Sequence, residues 1–394
     1  MGRLPIAVSA ALLIAVQPAR AYSVLAHEAN VDALWDRGIQ PLLLQRFPHA
    51  TRPQLIAARS FAYGGSVIQD IGYYPFGSHF FSNLMHYVRS GDFVRALIAD
   101  AATVDDYAFA LGALAHYAAD NTGHPEAVNR AVPIAYPKLR KKFGDRVTYA
   151  QAPANHVIVE FSFDVVQAAA GAYLSEAYHG FIGFQVAKDL LERAFRDVYG
   201  LDVKDVLGDE DLALATYRYS VSQLIPEITQ TAWKTERDEI RELAPAVDEN
   251  AFVFGYTKAQ YEREFGTDYR KPGWFARFLA FLYRLLPKIG PLRPLSFKTP
   301  TPEAERLFTD SFRDTRARYA RALDELREHR LDLPNTDFDT GRPSRVGEYE
   351  LADRTYRELV KRLKKKHWDG APPALRADID RFYASGASAG ARDR

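Results

Sequence analysis

The chain has 394 residues, 47% of them hydrophobic, which is enough apolar material to bury a substantial core and excludes a disordered polymer. Lysine plus arginine number 51 against 50 acids, a formal charge of +1, so no global field draws the chain to nucleic acid or another polyanion. Cysteine is absent, which rules out disulfides and thiolate metal sites and leaves histidine, carboxylate and the chain terminus as metal donors.

Residues 1–21 read as a secretory signal: Arg3 gives the positive start, residues 5–16 form an apolar run, and Ala19-Arg20-Ala21 closes it in an A-x-A pattern. The run is shorter than the roughly 20 residues a membrane-spanning helix needs. Cleavage leaves Tyr22 as the mature N-terminus and sends the protein to the periplasm or the medium.

Helical periodicity dominates the chain after residue 21. Residues 93–119, 157–172 and 180–198 carry apolar side chains at three- and four-residue spacings, and strand alternation is scarce. Gly64-Gly65, residues 72–77 and residues 121–125 read as loop punctuation, the last ending a helix near Asp120. Further amphipathic segments fall at 211–243, 303–330 and 348–366, packed on the first block or forming a helical appendage. The expected division is a signal at 1–21, a helical hydrolase domain at 22–290 with its ligands within 22–160, a helical C-terminal extension at 291–385 behind the proline-rich stretch 287–302, and a frayed tail at 386–394.

The chemistry lies in the histidine spacing. His116-x3-Asp120 and His156-x3-Glu160 each put two metal-capable groups on one face of an apolar helix. Read singly, each pair is a satisfied core pair or an ion pair; two pairs with His124 beside the first point to metal. His124 sits where Thr122-Gly123 and Pro125 imply that the chain leaves the helix. Upstream, Asp70 lies beside a glycine-containing loop and His86 in Leu84-Met85-His86-Tyr87, with His79 as the rival to His86. His49, His179, His329 and His367 have no matched spacing and read as ordinary.

The ordered series Tyr22, His27, Asp70, His86, His116-x3-Asp120, His124, His156-x3-Glu160 resembles the zinc-dependent phospholipases C and the related single-strand-specific zinc nucleases, over roughly residues 22–170. The resemblance implies an all-α, multi-helix bundle of that type, here with a helical C-terminal extension. It implies three zinc ions: one held by Asp70, His86, His116 and Asp120, a second by the amine and carbonyl of Tyr22 with His27 and the bridging Asp120, and a third by His124, His156 and Glu160. Asp70 would also orient or deprotonate the attacking water. Phosphodiester hydrolysis suits paired ions with N/O donors.

Glu160 at the last ligand position leans toward the lipase branch, and the Tyr22 to His27 spacing toward the nuclease branch. The leading expectation is a phospholipase C acting on phospholipid head groups. The alternatives are a single-strand-directed zinc nuclease or phosphatase, for which Tyr73, Tyr74 and Phe76 would form a stacking platform, and a non-catalytic protein stabilised by metal. The substrate is thus a phospholipid or another phosphodiester, and no protein partner is expected. The aromatic segment 274–286, followed by Lys288, reads either as a peripheral membrane contact or as a buried helix with snorkelling arginines, and residues 361–366 read as a solvated basic helix end or an anion patch.

Overall fold

The computed structural model describes residues 24–74, 76–169, 185–219 and 298–389. Within them the chain is all-α apart from one two-residue antiparallel ladder, Thr336–Asp337 (β1) with Arg342–Pro343 (β2). The helices are α1 (Val24–Leu34), α2 (Gln40–Arg46), α3 (Arg52–Val67), α4 (His79–Tyr87), α5 (Ser90–Asp100), α6 (Val104–Gly123), α7 (Asn129–Ala135), α8 (Pro137–Phe143), α9 (Pro153–Ala169), α10 (Lys188–Tyr199), α11 (Val203–Leu207) and α12 (Glu210–Tyr219). After the undescribed stretch come α13 (Pro302–Arg327), α14 (Glu350–Lys365) and α15 (Pro373–Ala389). The signal-like segment, Tyr22 and residues 274–288 lie outside the described residues. Among the described residues, no helix is long and apolar enough to cross a membrane.

The centre of the bundle is the crossing of α3 and α6, and glycine makes it close. A Cβ on Gly65 would stand 1.9 Å from the carbonyl oxygen of Phe109, and one on Gly112 would stand 1.9 Å from that of Ala62. Gly64-Gly65 is therefore not a loop, as its composition suggests, but the interior of α3, where the missing side chains let two backbones touch. Around this seam α6 is buried along nearly its whole length, so its polar residues sit inside the fold.

Two other boundaries differ from the sequence reading. The periodic stretch 93–119 is broken at residues 101–103, because Thr103 and Asp106 form a reciprocal capping box: the Thr103 hydroxyl accepts from the Asp106 N–H at 3.1 Å, and the Asp106 carboxylate accepts from the Thr103 N–H at 3.1 Å. At the other end α6 does not stop near Asp120. It runs to Gly123 and passes through a π turn, His124–Val128, into α7. Pro125 has no N–H to offer the α-helical ladder, and the wider turn absorbs that loss while rotating His124 relative to α6.

The C-terminal helices are packed on the bundle. Phe308, Tyr319 and Leu323 of α13 belong to the same apolar core as α1, α3 and α6, and the Tyr319 hydroxyl donates to the Leu111 carbonyl at 2.9 Å. α14 lies against α4, where the Arg362 guanidinium covers the Phe80 ring. Within the basic run of 361–366, Arg362 pairs with Glu358 at 2.8 Å and Lys366 with Asp205 at 2.6 Å, so these two are tied to the protein surface. α15 extends through residues 386–389, whose composition suggests a frayed end.

Candidate metal centre

Five elements meet at one buried point. α1 brings His27, the 3-10 turn Ile68–Tyr73 brings Asp70, α4 brings His86, α6 brings His116 and Asp120, and the following π turn brings His124. Of these, Asp70 is 2% exposed and the others are fully buried. The four-residue spacing does what helical periodicity predicts: His116 Nε2 lies 3.2 Å from Asp120 Oδ2.

Backbone carbonyls fix the imidazole tautomers. His116 Nδ1 faces the Ser66 carbonyl at 2.9 Å and His86 Nδ1 faces the Ser82 carbonyl at 2.7 Å; a carbonyl only accepts, so each Nδ1 carries its hydrogen. The Nε2 atoms of the neutral rings then present lone pairs to one another at 3.4 Å. His86 Nε2 also stands 3.3 Å from Asp70 Oδ1 and 3.2 Å from Asp120 Oδ2. His27, stacked on His116 with ring centroids 4.2 Å apart, places Nε2 3.5 Å from Asp120 Oδ1 and 3.8 Å from Asp70 Oδ2. Lone pairs thus converge on lone pairs in a water-poor interior, an arrangement that only a cation relieves.

A proton or a metal ion can be that cation. With protons alone, burial opposes charge on His86, but its bonds to Asp120 and Asp70 prevail and raise its pKa to about 9. Burial and the neighbouring His116 push His27 down to about 4. Burial would raise Asp120, yet His116, His86 and His27 hold it well below the usual carboxylate range. The spacing fits metal as well. Two donors on one tetrahedral zinc, each at about 2.0–2.2 Å, stand roughly 3.3–3.6 Å apart; His86 stands 3.2–3.4 Å from His116, Asp70 and Asp120, and His116 stands 3.2 Å from Asp120. These four residues form one group that could hold a metal ion.

A second such group is His124, His156 and Glu160. His156 Nε2 donates to the Val147 carbonyl at 2.5 Å, which leaves Nδ1 as the basic nitrogen, 3.5 Å from Glu160 Oε1. The rings of His124 and His156 lie 6.2 Å apart, and His124 Nε2 stands 4.0 Å from Asp120 Oδ2, so the two groups adjoin.

The structure separates His86 from its rival. His79 is exposed at the start of α4, edge-on to Tyr73, while His86 is fully buried among the carboxylates. Tyr73 is also buried, 5.7 Å from the His86 ring, and Tyr74 packs on Tyr217 at 4.1 Å. Of Tyr73, Tyr74 and Phe76 only Phe76 is exposed, so the three do not form a stacking platform. Sequence reasoning missed Asp339, whose Oδ1 stands 3.2 Å from His124 Nε2, and Phe338, whose ring packs against His86 and His116. Neither has a local pattern that could have flagged it.

No curated protein and no solved structure matches the chain. Residues 27–207 match the family model described as zinc dependent phospholipase C, a segment holding His27, both helical His-x3-carboxylate pairs and both groups able to hold metal. Over that segment the chain is similar to the zinc-dependent phospholipase C family.

Proposed function

We propose that the chain is a secreted or periplasmic phosphodiesterase that uses three zinc ions to cleave phospholipids on the phospholipase C side, giving diacylglycerol and a phosphorylated head group. The observation that carries this reading is the convergence of His86, His116, Asp70 and Asp120, with lone pairs facing one another, beside His124, His156 and Glu160. In this assignment the first group holds one ion, the second group another, and Tyr22 with His27 and the bridging Asp120 the last. Bound zinc would polarise the phosphoryl oxygens and lower the pKa of water to about 7.

The chain's own groups have defined tasks. Asp70 orients the attacking water and takes its proton. Ser66, Ser82 and Val147 hold three imidazoles through their carbonyls, fixing which nitrogen faces the centre. Asp120, reached by four imidazoles, ties the positions together. The location rests on the apolar run and A-x-A pattern within residues 1–21.

Glu160 and the burial of Tyr73 both favour lipid over single-stranded nucleic acid, whose bases need accessible aromatic faces. The deciding experiment is a parallel assay of purified protein on phosphatidylcholine, phosphatidylinositol and single-stranded DNA, with zinc content measured on the same sample. Lipid hydrolysis that chelation stops supports the proposal. DNA cleavage alone would replace it with the nuclease reading, and zinc without turnover with that of a metal-stabilised protein.

A further inference from the structure

We infer that Asp339, which lies beyond the family-matched segment, is a donor of the metal centre at the position of His124; this rests on the proposed zinc reading. Asp339 belongs to the short turn between β1 and β2, and it is fully buried. The turn is built to present it. Asp337 Oδ1 accepts from the N–H groups of Asp339 and Thr340 at 2.8 and 3.2 Å, and the Gly341 N–H closes on the Asp337 carbonyl at 2.8 Å. Gly341, at φ +68°, takes a left-handed conformation that glycine accepts without strain.

The turn is fastened to the ligand-bearing helix α4 and to α7, which follows directly on the π turn of His124. The Phe338 N–H donates to the carbonyl of His86 at 3.2 Å, and Asn129 Nδ2 donates to the carbonyl of Asp339 at 2.7 Å. The carboxylate is then oriented by two phenols. Oδ2 accepts from Tyr87 at 2.9 Å and from Tyr349, whose hydroxyl in turn accepts the Ala150 N–H at 3.2 Å, so that the Tyr349 proton is directed at Asp339. With Oδ2 so held, Oδ1 faces His124 Nε2 at 3.2 Å, close to the separation of two donors on one zinc. Burial without a nearby cation disfavours the charged form of this carboxylate. The C-terminal region would thereby contribute charge to the centre, and its docking would depend on metal.

The test uses the full chain as wild type, Asp339→Asn and Tyr349→Phe, each checked for helicity, then titrated with zinc and separately with cobalt(II). Expected are a loss of zinc affinity at one position by roughly 100-fold or more in Asp339→Asn, at or beyond the upper end of what an outer-shell partner costs, and an altered visible cobalt spectrum. Tyr349→Phe should move both readouts the same way by less. Unchanged affinity and spectrum in Asp339→Asn would overturn the inference while leaving the zinc reading intact. Weaker binding with an unchanged spectrum would also overturn it, making Asp339 an orienting partner of His124. Wild type that binds no zinc would overturn both readings. Should Asp339→Asn not fold, Tyr349→Phe decides, and an unchanged affinity and spectrum there would count against the inference.

Discussion

Ser66 and His116 are joined across the close crossing of α3 and α6: the imidazole Nδ1–H of one helix donates to the carbonyl of the other at 2.9 Å, one residue from the glycine that lets them approach. Gly65→Ala should therefore damage both stability and metal binding. Replacing a helical glycine gains at most about 1 kcal/mol in propensity. A Cβ 1.9 Å from the Phe109 oxygen must push backbone, not a flexible side chain, and such overpacking costs about 1–3 kcal/mol or more. Urea unfolding and zinc titration of the variant should show lower stability and weaker zinc binding; a variant as stable as wild type would show that the crossing has slack.

His116→Ala and Asp120→Ala should each lower turnover by more than roughly 100-fold, the upper end for losing an outer-shell partner, while circular dichroism stays helical. His86→Ala should behave like them and His79→Ala should not, because only His86 stands among the carboxylates. Assayed without added zinc, turnover within a few-fold of wild type in His116→Ala or Asp120→Ala would remove them from the ligand set.

The paired spacings were legible because a helix returns to the same face every fourth residue, so His116 with Asp120 and His156 with Glu160 could be placed together from sequence alone. Glycine and proline were ambiguous. Gly64-Gly65 has the composition of a turn, yet it serves backbone contact inside a helix, and Pro125 marks a π turn where a helix end was expected. Asp339 was invisible for a different reason: its carboxylate reaches His124 through the tertiary docking of a turn, and no periodicity links residues so distant in the chain.

The clasp that fastens the C-terminal region to α5 should show in acid unfolding. Burial would raise Asp92, but Arg89, Asn335 and Arg95 together lower its pKa below the ordinary 3.8. Asn335 also accepts from the Asp92 N–H at 2.9 Å. A depressed carboxylate contributes stability that is present above its unfolded pKa and fades as pH falls through the folded one. Asp92→Asn should thus be less stable than wild type at pH 6, with the gap narrowing below about pH 4. A gap that stays constant across this range would show that the carboxylate's charge has no part in it.

Protein beginning at Tyr22 should hold more zinc and turn over faster than protein with a short extension before it. An amide nitrogen is a far poorer donor than a free amine, and His27, close to Asp120, marks where that ion would sit. Only this position should weaken. Equal zinc and equal rates in the two proteins would refute a terminal ligand.

Zinc stoichiometry on the purified protein beginning at Tyr22, followed through chelation and zinc re-addition alongside phosphatidylcholine hydrolysis, tests the central claim most directly. Three zinc ions per chain, with hydrolysis lost on chelation and restored by zinc, are predicted. A protein that retains no zinc, or hydrolyses lipid at the same rate without it, would contradict the account.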